Sequence, residues 1–193
     1  MRHRSLEIIR DEHSSLAAML QSMRLLVDRG PGDDPKNFFD VLRAMLFYID
    51  EFPERLHHPK ETELLFPAVL KGSPGTADAI ARLDRDHEFT EKAVRDIQHL
   101  LLGWELLGEL RRPAFTEAFE KYVALYLEHM RLEEHEVLPA AEKALDEAEW
   151  KALDEAFEKN CDPLTGKYEP GAVYDRLFTR IVMKAPAPIG LGE

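Results

Sequence analysis

The sequence is poor in cysteine and has no long apolar run. Among 193 residues there is one cysteine, Cys161, which excludes an internal disulfide. No apolar stretch approaches the roughly 18 residues that a membrane-spanning helix needs. The basic N-terminus leads into an amphipathic segment, not into the apolar stretch of a signal peptide. The sequence therefore predicts a cytoplasmic protein that has no membrane partner.

Basic residues are also scarce relative to acidic ones. Lysine and arginine number 25 against 37 aspartates and glutamates, which gives a formal net charge of −12. Such a surface repels phosphate groups, so nucleic acid is excluded as a partner. The hydrophobic content of 45% is enough to fill the core of one domain.

Strand-like alternation of polar and apolar residues is nearly absent, whereas helical periodicity runs through the chain. In the first segment, apolar residues and one histidine recur at steps of three or four: Ile9, His13, Leu16, Leu20, Met23 and Val27. Ser5 is the expected N-cap of this helix. The turn-forming residues 29–35 are expected to end it.

Three further long helices are predicted, over about residues 36–71, 76–103 and 112–145. Short connections between consecutive long helices favour antiparallel neighbours. We therefore predict an all-α fold, with an up-down-up-down four-helix bundle over residues 1–145. A short helical extension over residues 146–193 follows, with helices at 147–159 and from Pro170 to about Met183. This extension is expected to pack on the bundle or on a partner subunit.

The most informative motif is a repeated His-x-x-x-Glu pair. His57 precedes Glu61 by four residues, and His129 precedes Glu133 by four. On a helix, this spacing places the imidazole and the carboxylate on one face, one turn apart. In both halves of the chain a proline follows the histidine by ten residues. Two prolines, Pro53 and Pro59, interrupt the helix that carries the first pair, which indicates a distorted turn or a restart of the helix there.

A lone histidine precedes each pair at a similar distance. His13 lies 44 residues before His57, and His87 lies 42 residues before His129. A single histidine in a core usually has a structural role, and one surface His–Glu pair is weakly stabilising. Here the same arrangement occurs in both halves, and a buried glutamate is costly unless it is paired or bound to metal. The repeat therefore indicates two metal ions with nitrogen and oxygen ligands.

These motifs resemble the hemerythrin family, in its branch of HHE cation-binding domains. The resemblance covers about residues 5–145 and includes the Leu-Phe-Pro and Val-Leu-Pro sequences that close the two halves. It implies a four-helix bundle around two non-haem irons that are bridged by carboxylates and an oxo or hydroxo group. The implied metal ligands are His13, His57, Glu61, His87, His129 and Glu133, with the two glutamates as the bridging carboxylates. Manganese or zinc would also bind such ligands.

The sequence departs from the oxygen-carrying hemerythrins at two positions. Those proteins have a second histidine one turn after the third-helix histidine, where this chain has Glu91. They also end their last motif with an aspartate one residue later, where this chain has Glu134. Four histidines instead of five leave the irons harder and more open, which disfavours reversible oxygen carriage. His58, Glu91 and Glu134 stay open as further ligands, and His58 is an alternative to His57.

The expected function is that of a non-haem di-iron protein that binds, senses or reacts with oxygen, peroxide or nitric oxide. One alternative is an oxidase or peroxide-reducing enzyme, which would need an external reductant because no flavin, haem or iron–sulfur motif is visible. Another is an interaction module that is stabilised by metal. Tyr122 and Tyr126 are expected in the core, with a phenol within reach of a bridging oxygen. The acidic surface and apolar tail are compatible with a homodimer.

Overall fold

The described part of the chain is almost entirely helical. The computed structural model describes residues 3–167 and 174–192. Within these ranges there is no β-strand, and the one extended pairing is an isolated bridge between Pro186 and Gly192. The predicted all-α class is confirmed. None of the helices in these ranges is long and apolar enough to cross a membrane.

Four long helical rods contain most of these residues. The first rod is helix α1 (Arg4–Arg29). The second rod, residues 35–72, alternates α-helical and π-helical segments: α2 (Pro35–Ile49), π1 (Asp50–His57), α3 (His58–Lys60), π2 (Glu61–Leu65) and α4 (Phe66–Gly72). The third rod is α5 (Ala77–Leu107). The fourth rod, residues 112–144, has the same alternation: α6 (Arg112–Leu132), π3 (Glu133–Val137) and α7 (Leu138–Ala144).

Local sequence signals fix the ends of the first two rods. Gly30 ends α1 with a φ of 72°, a conformation that glycine adopts without strain. Asp34 caps α2, because its carboxylate accepts a hydrogen bond from the backbone N–H of Asn37. Pro35 follows as the first helical residue, where its missing N–H has no consequence. The turn predicted over residues 29–35 therefore lies where the sequence places it.

Ser5 does not cap α1 as the sequence suggested. The helix begins at Arg4, and its N-cap, His3, makes no side-chain capping bond. The backbone N–H and the hydroxyl of Ser5 instead donate to Asp154 Oδ1, at 2.7 and 2.6 Å. The first turn of α1 therefore receives its acceptor from a helix that lies about 150 residues later in the chain.

The core consists of two apolar clusters, and the histidines lie where the clusters meet along each rod. The larger cluster includes Leu16, Phe52, Val94 and Tyr126, and the smaller one includes Ile9, Leu65, Leu83 and Leu132. In every rod a histidine stands between a residue of one cluster and a residue of the other. Hydrophobic packing above and below therefore keeps this central layer of polar side chains away from water.

The extension begins with helix α8 (Glu147–Phe157), which packs against α1. Asp146 and Glu149 form a capping box at its start. Its inward residues are those that the periodicity predicted, Trp150, Leu153 and Phe157, and all three are buried. The ring of Trp150 stacks on His3, with 3.8 Å between ring centroids.

The last helix and the tail also contact the rods. Helix α9 (Asp175–Lys184) packs on α2 and buries Phe178 and Ile181. It was predicted to begin at Pro170, and that residue lies outside the described ranges. Beyond the helix, the hydroxyl of Ser22 on α1 donates to the carbonyl of Pro186 at 2.9 Å. The apolar tail therefore lies along the first rod.

Candidate metal centre

Five histidines and two glutamates converge in the layer between the two apolar clusters. All seven side chains are buried, with no residue more than 8% exposed. Every rod contributes to the set, which comprises His13 from α1, His57, His58 and Glu61 from the second rod, His87 from α5, and His129 and Glu133 from the fourth rod.

These side chains form two overlapping groups. Within each group, the four nitrogen and oxygen atoms that could bind a metal lie within 4.8 Å of one another. The first group is His13, His57, Glu61 and Glu133, and the second is His58, Glu61, His87 and His129. Glu61 belongs to both groups. Its Oε1 lies 2.6 Å from His57 Nε2, and its Oε2 lies 3.3 Å from His87 Nε2.

The outward-facing nitrogen of each histidine has an oxygen beside it. Four of the five nitrogen–oxygen contacts are hydrogen bonds. They join His13 Nδ1 to Glu134 at 2.9 Å, His57 Nδ1 to Glu12 at 2.6 Å, His58 Nδ1 to Glu54 at 3.0 Å and His87 Nδ1 to Thr62 at 2.9 Å. The fifth, His129 Nδ1 to Asp86, is longer at 3.6 Å. An Nδ1–H that donates outward leaves the Nε2 lone pair free, which is the arrangement that metal-binding histidines use.

Several atoms at the centre of the site make no hydrogen bond of good geometry, although imidazole nitrogens lie 2.6 to 3.3 Å from three of the oxygens. They are His57 Nε2 and both carboxylate oxygens of Glu61 and of Glu133. Buried polar atoms without partners are rare because each costs about 1–3 kcal/mol. Carboxylate oxygens and an imidazole lone pair all accept, so the partner that would satisfy them together is a cation. The donor set therefore fits metal ions.

In the absence of a cation, protons compensate the charge of the first group. Burial opposes protonation of His13, but contacts with Glu133 and Glu134 outweigh it and raise the pKa of His13 to about 9. Burial likewise opposes protonation of His57, yet Glu61 and Glu12 hold the pKa of His57 well above its ordinary value. Cations that bind here must therefore displace these protons.

In the second group the pKa values of two histidines, His58 and His129, are lowered and not raised. Burial, together with the neighbouring His87 and His129, holds the pKa of His58 well below its ordinary value. Burial also lowers the pKa of His129. The Nε2 atoms of His87 and His129 face each other at 3.3 Å. Imidazole nitrogens held this close can direct their lone pairs to one metal ion.

A hydrogen-bonded carboxylate, Glu54, supports the second group from behind. It accepts hydrogen bonds from Tyr122 at 2.9 Å, from Tyr126 at 3.2 Å and from Thr90 at 3.1 Å, besides its contact with His58. Burial raises the pKa of Glu54 to about 7. Both tyrosines are in the core as predicted, but their hydroxyls bond to Glu54 and not to Glu61 or Glu133. The Tyr126 hydroxyl also lies 3.0 Å from His58 Nε2.

A small cavity lies beside His13, His57 and His58. The volume open to the centre of a water-sized molecule is about 20 Å³, which is room for one or two waters. Apolar and aromatic side chains make up much of its wall: Leu16, Tyr48, Phe52, Pro53, Leu56 and Tyr126. The polar residues Glu12, Asn160 and Asp162 complete the lining.

The structure brings together all six of the residues that the sequence proposed as ligands, and it places the three that were left open. His58 lies in the second group, so five histidines surround the centre where the sequence expected four as ligands. Glu91 is exposed, pairs with Arg95 at 2.9 Å and belongs to neither group. Glu134 lies behind His13 and orients its ring instead of entering a group.

Sequence reasoning missed Glu54, and it favoured His57 over its neighbour. The comparison of the two halves favoured His57, because Met130 stands at the position that matches His58, although His58 stayed open as a further ligand. Here π1 ends at His57 and α3 begins at His58, and each ring reaches a different group. The spacing of Glu54 and His58 by four residues was the available signal.

The fold and the two groups define a helical metal-binding protein. The comparison with protein families identifies which one. Residues 4–141 match the hemerythrin HHE cation binding domain, and the chain belongs to that family. Searches of the curated proteins and of the solved structures found no significant match.

Proposed function

We propose that this protein is a non-haem di-iron protein that binds, senses or reacts with a small oxidant or gas: oxygen, peroxide or nitric oxide. The observation that carries the proposal is the pair of overlapping buried groups, which share Glu61 and contain acceptor atoms without partners. The family match supports the choice of iron. The rods would form an up-down-up-down bundle over residues 1–145, with residues 146–193 as its extension.

The proposed ligand set extends the six residues taken from the sequence by His58. One ion would bind His13 and His57, and the other would bind His58, His87 and His129. Glu61 reaches both groups, and Glu133 lies 3.3 Å from His13 Nε2. We propose these two glutamates as the bridging carboxylates. The nitrogen and carboxylate ligands also suit manganese and zinc, so metal analysis is part of the test.

The ligand is proposed to enter on the side of His13 and His57. When bound, the iron pair would supply a coordination position and redox chemistry for a small molecule. In the proposed ligand set, two histidines bind the ion on this side and three bind the other ion. The cavity adjoins His13 and His57. Leu16, Phe52 and Leu56 line that cavity, and its volume of about 20 Å³ suits a molecule as small as a diatomic gas or peroxide.

If all five histidines bind metal, the argument from a set of four against reversible oxygen binding no longer applies. Spectroscopy on the iron-loaded protein distinguishes the possibilities. The chain is purified anaerobically with ferrous iron, and the iron content and ultraviolet–visible spectrum are recorded before and after oxygen, peroxide and nitric oxide. We expect two irons per chain and a charge-transfer band that changes with the ligand. A spectrum that none of the three molecules alters would contradict the proposal.

Two variants test the ligand assignment. His57→Ala and Glu133→Ala are each expected to abolish binding of two ions per chain, because each removes a donor from a group of four. Glu91→Ala serves as the control, since Glu91 is exposed and lies outside both groups. Two irons retained in both of the first variants would show that the assignment is wrong.

A further inference from the structure

The C-terminal extension supplies side chains to the surroundings of the metal centre. The family match ends at residue 141, yet Asn160 and Asp162 are buried and line the cavity beside His13 and His57. Asp162 accepts a hydrogen bond from the Tyr48 hydroxyl at 2.6 Å. The loop after α8 therefore forms part of the wall between the centre and solvent.

Asn160 is connected to His57 through one intervening carboxylate. Its Nδ2 donates to Glu12 Oε2 at 2.9 Å, and the same oxygen lies 2.6 Å from His57 Nδ1. Its Oδ1 accepts from the Lys60 ammonium group. Both ends of the Asn160 amide are therefore fixed, and Glu12 Oε2 receives one N–H from the extension and one from the imidazole.

The extension is attached firmly enough to hold this amide in place. Asp154 accepts two hydrogen bonds from Ser5 at the start of α1. The ring of Phe157 meets the His57 ring edge-on, with 5.8 Å between centroids. These contacts place Asn160 three residues after a helix that packs on both α1 and the centre.

We propose that Asn160 is a positioning residue for the metal centre, which fixes Glu12 so that Glu12 holds the His57 ring toward the metal. This inference rests on the proposed function. One carboxylate oxygen of Glu12 accepts hydrogen bonds from both Asn160 and His57. Without the amide of Asn160, the side chain of Glu12 is free to turn away from His57. Groups that orient metal-binding histidines typically contribute a factor of about 10 to 100 in metal affinity.

Release of iron to a chelator tests the inference on the full chain. The protein is loaded with ferrous iron under anaerobic conditions, and release to an excess of a chromogenic ferrous chelator is followed over time. Asn160→Ala is expected to speed the release of iron by about tenfold. Asn160→Asp has nearly the same size, so it preserves packing, and it replaces the donor with an oxygen that repels Glu12. Its effect is expected to be at least as large.

Asp154→Ala is the matched control, because it loosens the extension at Ser5 without touching Glu12. If it speeds release as much as Asn160→Ala, the role of Asn160 is merely structural and the inference is wrong. Unchanged release in both Asn160 variants would also overturn it. If wild-type protein binds no iron, the proposed function fails together with the inference. Two ions bound by wild type with unaltered release in the variants would remove the inference alone.

Discussion

At the scale of the residue, Glu61 links the two halves of the centre. Its carboxylate is completely buried, and each oxygen faces a histidine of a different group. Burial disfavours its charge, but the contacts with His57 and His87 outweigh that effect and hold the pKa of Glu61 well below its ordinary value. The side chain is therefore ionised at neutral pH and available as a metal ligand.

Replacing Glu61 is expected to affect both ions. Glu61→Ala should bind neither ion stoichiometrically, because each group loses its shared oxygen donor. His58→Ala should still bind one ion, since His58 belongs to a single group. Metal content per chain after equilibrium dialysis against ferrous iron measures both effects. Two ions bound by Glu61→Ala would contradict the shared role.

Asp162 should make the stability of the metal-free protein depend on pH. Burial raises the pKa of Asp162 from 3.8 to about 6, although Tyr48 donates to it. Because the folded state favours the protonated acid, its contribution to stability is full below about pH 4 and is lost as the pH rises through 6. Asp162→Asn removes the titration. Relative to wild type, its free energy of unfolding should rise by up to about 3 kcal/mol between pH 4 and pH 8, at about 1.4 kcal/mol per pKa unit.

Urea denaturation of both metal-free proteins across this pH range measures the difference. Groups other than Asp162 titrate in both proteins, so their effects cancel when the two curves are subtracted. A difference in unfolding free energy that is the same at pH 4 and pH 8 would show that Asp162 does not titrate as the structure indicates.

The sequence predicted six site residues because they occur at matched positions of the two halves. The same comparison gave no support to His58, which the structure places beside them. The second half of the chain has Met130 where the first has His58. A residue without a counterpart carries no signal in a comparison of halves. Glu12 and Asn160 escaped for a related reason, since their role depends on contacts between distant parts of the chain.

At the scale of the element, prolines explain why the rods widen at the ligands. Glu61 begins π2 and Glu133 begins π3, and each π-helical segment is followed by an α-helix whose second residue is a proline, Pro67 or Pro139. A proline inside a helix lacks the N–H that would bond four residues back. A π-helical turn accommodates that loss without ending the helix. The distortion that the sequence predicted at Pro53 and Pro59 also lies in a continuous rod, because Pro53 is inside π1 and Pro59 is in α3 between π1 and π2.

The attachment of α8 to α1 gives a prediction about stability. Asp154→Ala should lower the free energy of unfolding by about 1–2 kcal/mol, because two donors on Ser5 lose a charged acceptor. Urea denaturation of the metal-free protein measures the change. Glu155→Ala is the matched control, since that neighbouring residue is exposed and its distance to Lys151 is 4.0 Å. Equal stability of Asp154→Ala and wild type would show that the Ser5 contact adds nothing.

At the scale of the whole molecule, iron should stabilise the fold. Metal that binds only the native state adds about 2.7 kcal/mol at a free concentration one hundred times its dissociation constant. Thermal unfolding of the anaerobic protein, followed by circular dichroism, should therefore show a higher Tm with ferrous iron than with a chelator. Glu61→Ala is expected to show no such difference. An iron-dependent rise of the same size in that variant would place the bound iron elsewhere.

The helical class and the main inner faces could be predicted, whereas the arrangement of the extension could not. Periodicity reports which face of a helix is apolar, and this identified residues such as Ile9, Leu16 and Met23 correctly. It does not report which surface that face meets. The contacts of Asn160 with Glu12 and of Asp154 with Ser5 join positions nearly 150 residues apart, and no local pattern encodes them.

Because Glu61 belongs to both groups, occupation of one proposed metal site should affect the other. A cation held by one oxygen of this carboxylate would immobilise the side chain and present the other oxygen already in place, so the entropy of ordering is lost once for two binding events. Uptake is then cooperative. When iron is limiting, the population should divide into empty chains and fully loaded ones, with few chains that hold a single ion.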